Sequence, residues 1–95
     1  MLNNVAWLLA THPDPNLRNG KLALEVAKRA AKITAYKDPS YLDTLAAAYA
    51  ETGDFAKAIE TATRALDLVD ENRQPELHAS LTKGLLLYRA RKPMR

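Results

Sequence analysis

Apolar residues recur at helical spacing along most of the chain. Leu22, Ala23, Val26, Ala27, Ala30 and Ile33 fall on one stripe at i, i+3, i+4, i+7. Phe55, Ala58, Ile59, Ala62, Ala65, Leu66 and Val69 form a second, and Leu77, Leu81, Leu85 and Tyr88 a third. The segment holding Leu42, Leu45, Ala46, Tyr49 and Ala50 is almost wholly small or apolar, so it should be touched on several sides. Four stretches interrupt the pattern. His12-Pro13-Asp14-Pro15-Asn16 carries two prolines that no helix interior accepts. Lys37-Asp38-Pro39 offers an N-cap acid followed by proline at the first helical position. Thr52-Gly53-Asp54 offers a left-handed glycine and a second capping acid, and the run from Asp70 to Pro75 is polar throughout. Five helices are predicted, at about 2–10, 20–34, 39–52, 55–69 and 75–91.

The pattern also repeats. Leu2, Val5, Ala6 and Leu9 return forty positions later as Leu42, Leu45, Ala46 and Tyr49. Ala23, Leu24, Ala27 and Ala30 return thirty-five positions later as Ala58, Ile59, Ala62 and Ala65. The offsets differ by five, which places about five extra residues in the loop between the first two helices. Two copies of a helical hairpin are therefore expected, the first at about 2–36 with a long loop at 11–19, the second at about 39–70. The fold class is all-α, antiparallel hairpins stacked as a short α-solenoid in one domain spanning 1–95.

These residues resemble the tetratricopeptide repeat (TPR). That pattern is a large apolar residue, two positions, Leu, a small residue, two positions, Tyr, then a downstream Ala with a bulky residue four later. Leu42, Leu45, Ala46 and Tyr49 match its first helix, Gly53 and Phe55 its turn, and Ala58 and Ala65 its second helix. Leu42 stands where Trp is frequent, Ala62 where a bulky aromatic is frequent, and Asp70 where proline commonly ends the repeat. The helix predicted at about 75–91 is similar to the extra helix that closes many such arrays.

The resemblance implies a protein-protein interaction scaffold, with a concave face lined by the first helix of each hairpin and holding a peptide or helix of another protein. Carried onto this chain, that face comprises Asn3, Asn4, Trp7, Ala10, Asp43, Thr44, Ala47 and Glu51. Amides, acids and one aromatic suit backbone hydrogen bonding around an apolar anchor. No Lys or Arg falls among them, which argues against the carboxylate clamp that chaperone-binding members use. Trp7 has two readings, an exposed anchor or a residue packing on the proline-containing loop 12–17. The second gives the long loop a cause and is favoured.

Composition narrows the chemistry. Among 95 residues, 47% are hydrophobic and 6% aromatic, with no cysteine and two histidines. Thiolate nucleophiles, disulfide scaffolds and cysteine-based metal sites are thereby excluded. His12 beside Asp14 supplies too few ligands for a metal, and no cofactor motif is present. No Gly-rich loop or nucleophile-base pair points to an enzyme. The net charge of +3 divides into +3 over residues 1–40, −5 over 41–76 and +5 over 77–95. The basic ends offer the alternative of an RNA-binding helical-repeat module, but Asp43 and Glu51 on the same groove would repel phosphate. No leader or membrane span is read at the N-terminus, so the expected location is the cytoplasm and no membrane partner is expected. Stacked hairpins bury their faces only against neighbours, and nothing in the sequence caps the first helix. The chain is thus expected either to belong to a longer array or to form a homo-oligomer through its N-terminal hairpin.

Overall fold

The computed structural model describes residues 2–16 and 18–94, with 2–4 described by backbone alone. The described residues form five helices: α1 (Leu2–Thr11), α2 (Gly20–Ile33), α3 (Pro39–Glu51), α4 (Phe55–Leu68) and α5 (Pro75–Arg89). Each start is where local chemistry puts it. The Leu22 N–H donates to Asn19 Oδ1 at 3.1 Å, capping α2. Asp38 caps α3 through the Ser40 N–H at 3.0 Å, with Pro39 at the first helical position. Asp54 caps α4 through the Lys57 N–H at 3.1 Å. α5 has no side-chain cap but carries Pro75 and, in its first turn, Glu76, whose charge complements the helix dipole.

Three helix ends close in the same way. Asp54 N–H donates to Tyr49 O and Gly53 N–H to Ala50 O; Tyr36 to Ala31 and Ala35 to Lys32; Lys92 to Leu87 and Arg91 to Tyr88. These are paired Schellman bonds around a left-handed residue, and at the α2 end a second left-handed residue, Tyr36 at φ 58°, follows it. Only the α3 end places glycine there, Gly53 at φ 88°; the others use Ala35 at φ 55° and Arg91 at φ 58°.

α3 is the central helix and packs against α1, α2, α4 and α5. Its residues 42–48 are buried without interruption, as its apolar composition required. The core is built largely of alanine, which lets helix axes approach closely. Burial follows the internal repeat: Ala6 and Ala46, Ala23 and Ala58, Ala27 and Ala62, Ala30 and Ala65 are all buried. The architecture is that of a helical repeat, two hairpins and one further helix lying over α3 and α4. No described helix is long and apolar enough to cross a membrane.

Candidate partner-binding site

The residues predicted to line an open groove do not share one environment. Asn3 and Asn4 lie on α1, and their side chains fall outside the described residues. Trp7 is half-buried and packs against the core, while Ala10 is buried. Asp43, Thr44 and Ala47 are buried, so they are not open to a partner in this fold. The reason is positional. α3 is flanked on both sides in so short a stack, and α5 sits over the face that would have been free.

Asp43 marks that closure. Its carboxylate accepts a hydrogen bond from Ser80 Oγ of α5 at 2.8 Å, and its second oxygen and the Tyr88 hydroxyl are buried with no hydrogen-bond partner. Ser80, Gly84 and Tyr88 recur every four residues and form the α5 face turned to α3. Gly84 makes room there, since a Cβ would lie 3.2 Å from the Tyr88 ring and hydroxyl. Burial raises the Asp43 pKa to about 6 against the Ser80 hydrogen bond, which lowers it. Burial and the nearby Asp43 charge push the Tyr88 phenol above its usual range.

Glu51 is also engaged. Arg18 Nε donates to Glu51 Oε1 at 2.7 Å and Arg18 Nη1 to the His12 carbonyl at 3.0 Å, so the pair clamps the 12–19 loop onto the end of α3. Gly20 fits beneath it: an added Cβ would stand 2.7 Å from Glu51 Cγ. A base therefore reaches the predicted face from the loop, already neutralised by an acid. The 33-residue separation of this pair left no periodic signal in the sequence. His12 Nδ1 accepts the Asp14 N–H at 3.0 Å and serves the turn. Among the described residues, no group of three or more His, Asp or Glu side chains converges as metal ligands would.

A second feature lies off the predicted face. Tyr49 lies between Lys28 of α2, 5.6 Å from its ring centroid, and Lys57 of α4, at 5.8 Å. Tyr49, Lys57, Glu60 and Thr61 line a shallow cleft there. The cations arrive from two hairpins at positions unrelated by the repeat offset, which hid them from pattern reading. Comparison with protein-family models, with curated proteins and with solved structures found no match to this chain.

Proposed function

We propose that the chain is a small helical-repeat scaffold of the TPR type that holds a peptide or helix of another protein along α1, with Trp7 as the anchor. The half-exposed Trp7 carries this reading. It is the chain's only tryptophan, and it lies on a helix that bears no ionisable side chain from Leu2 to Thr11. An aromatic set in apolar surroundings, with amides one turn away in sequence, suits an anchor bordered by backbone hydrogen bonding. The role is one of binding without catalysis, in a reducing compartment such as the cytoplasm, which a chain without cysteine suits. Because Asp43, Thr44 and Ala47 are buried, the groove of this proposal runs along α1 and leaves α3 as its floor.

The test is affinity capture with the chain immobilised as wild type and as Trp7→Arg, each checked for helicity by circular dichroism. A hot-spot tryptophan contributes about 2 kcal/mol or more, so a true partner loses roughly thirtyfold in affinity. A partner held equally by both forms removes Trp7 from the site, and no reproducible partner removes the scaffold reading.

A further inference from the structure

We infer that the cleft around Tyr49, between α2 and α4, docks an acidic segment of another protein through its carboxylate side chains. This face and this partner are distinct from those proposed for Trp7. Geometry carries the inference. Among the described residues, α2 and α4 each pack on α3 and not on each other, so the groove between them is floored by Tyr49 of α3. At one station the Lys28 and Lys57 ammoniums lie 5.6 and 5.8 Å from the Tyr49 ring centroid. At a second, the Arg64 guanidinium lies 6.0 Å from the ring centroid of Tyr36, just past the end of α2. Lys32 follows Lys28 by one turn on the same side of α2 and is exposed.

These cations are gathered without ion-pair partners. Each has an acid three or four residues away in sequence: Glu25 for Lys28, Asp54 and Glu60 for Lys57, Glu60 and Asp67 for Arg64. Such spacings allow ion pairs on a helix. Among the described residues none forms there; the ion pairs are Arg18 with Glu51 and Arg73 with Asp70. The long side chains reach the tyrosine rings instead, a weak attraction at an exposed site, and the two ammoniums that share the Tyr49 ring repel each other. Thr61 and Tyr49 also line the cleft, and their hydroxyls make no hydrogen bond among the described residues. The cleft thus offers two ammoniums and two hydroxyls as donors to an oxyanion.

Shape and charge choose the occupant. The cleft is shallow, with a volume of about 170 Å³, and a free small molecule would leave most of its surface in water there. The anion is better delivered by a larger body. Glu60, which also lines the cleft, opposes a doubly charged phosphate more than a single carboxylate. Cations already lie over the Tyr49 and Tyr36 rings, which removes ring surface from the base stacking on which single-stranded nucleic acid binding depends. Lys57 and Arg64, seven residues apart on α4, are about 10 Å apart along the helix axis. An extended chain covers that distance in about three residues. The partner is an extended segment with a carboxylate at every third position.

The test is fluorescence anisotropy of a labelled peptide with Glu at every third position and Gly or Ser between, titrated with the full chain at low ionic strength. Saturable binding is expected. Lys28→Glu/Lys57→Glu should weaken it about tenfold, as two charges are reversed at an exposed site. Lys28→Gln/Lys57→Gln, which removes the attraction without adding repulsion, should weaken it about threefold. Lys83→Glu/Lys92→Glu makes the same change in net charge at exposed positions on α5 and beyond it, and should leave the affinity within about twofold. Circular dichroism confirms that each variant is folded. No saturable binding, equal losses from the two glutamate pairs, or tighter binding of a thymidine oligonucleotide of equal charge each overturns the inference. None of these outcomes bears on the Trp7 capture, whose partner lies along α1.

Discussion

Asp43 on α3 and Ser80 on α5 are joined by a 2.8 Å hydrogen bond between side chains thirty-seven residues apart, inside an otherwise alanine-rich stack. The bond satisfies one carboxylate oxygen and leaves the other buried and bare, beside a phenol in the same condition. A buried ionised carboxylate with one hydrogen bond is costly, so α5 is docked over a group that resists being charged.

Stability should therefore fall as pH rises. The folded Asp43 has a pKa of about 6 against an ordinary 3.8, so the native state binds the proton more tightly than the unfolded chain. Stability is full below about pH 3.8, declines as pH passes through about 6, and is lowest above it. The span corresponds to about 3 kcal/mol, at 1.36 kcal/mol per pH unit of displacement. Asp43→Asn keeps an acceptor for Ser80 and offers Tyr88 a donor, so it should flatten this decline and raise the melting temperature at pH 7.5. Thermal unfolding by circular dichroism between pH 4 and 8 measures the difference between the two chains; parallel profiles would remove Asp43 as the source.

Gly20 and Glu51 should behave as a coupled pair. Gly20→Ala replaces a poor helix former, which alone should stabilise α2 by up to about 1 kcal/mol. Its methyl group would instead press on Glu51 Cγ and dislodge the carboxylate from Arg18. The net effect expected is a loss of about 1 kcal/mol in the wild-type background. In a Glu51→Ala background the same change should cost less, because the 2.7 Å contact with Cγ is gone and only the 3.2 Å approach to Cβ and the 3.4 Å approach to the backbone carbon remain. Urea unfolding of the four proteins of this cycle gives the coupling. Additive effects would mean that the loop clamp does not depend on the glycine.

Ala35 occupies the left-handed position of the Schellman closure after α2, which the similar closure after α3 fills with Gly53. A side chain there costs about 1–2 kcal/mol, partly offset by the extra freedom glycine has when unfolded. Ala35→Gly is expected to gain about 0.5–1 kcal/mol, and Gly53→Ala to lose about 1 kcal/mol. For a chain of this size each kcal/mol moves the melting temperature by about 4–8 °C. Calorimetry of both variants should show shifts of opposite sign; a shared sign would show that the turn geometry is not what separates them.

The helices were legible because their signals are local. Asp38-Pro39 and Gly53-Asp54 announce starts and stops within a few residues, and the offsets of forty and thirty-five mark which alanines share a burial pattern. The open face expected on α3 was not legible in the same way. Whether Asp43, Thr44 and Ala47 face solvent depends on where α5 lands, and a polar Asp in a helical stripe carries the same signal whether it meets water or Ser80. The Arg18–Glu51 clamp and the paired lysines on Tyr49 are likewise long-range meetings of residues that are individually ordinary on a surface. The tail after α5 shows the same limit, since its basic composition carries no signal that the chain turns back to the core.

Met94 returns to the core after α5. Arg91 at φ 58° reverses the chain, Lys92 N–H closes on Leu87 O at 2.8 Å, and the Arg91 guanidinium rests 5.5 Å from the Phe55 ring centroid. These three features carry Met94 into contact with the buried cluster, where it is 6% exposed. Met94→Ala should cost about 2 kcal/mol, at the low end for a buried methionine because a tail can partly collapse around the gap. Lys92→Ala, at an exposed position, should change stability by no more than about 0.5 kcal/mol. Urea midpoints separate the two cases, and a Met94→Ala chain that unfolds with the wild type would show that the tail lies against the core without sealing it.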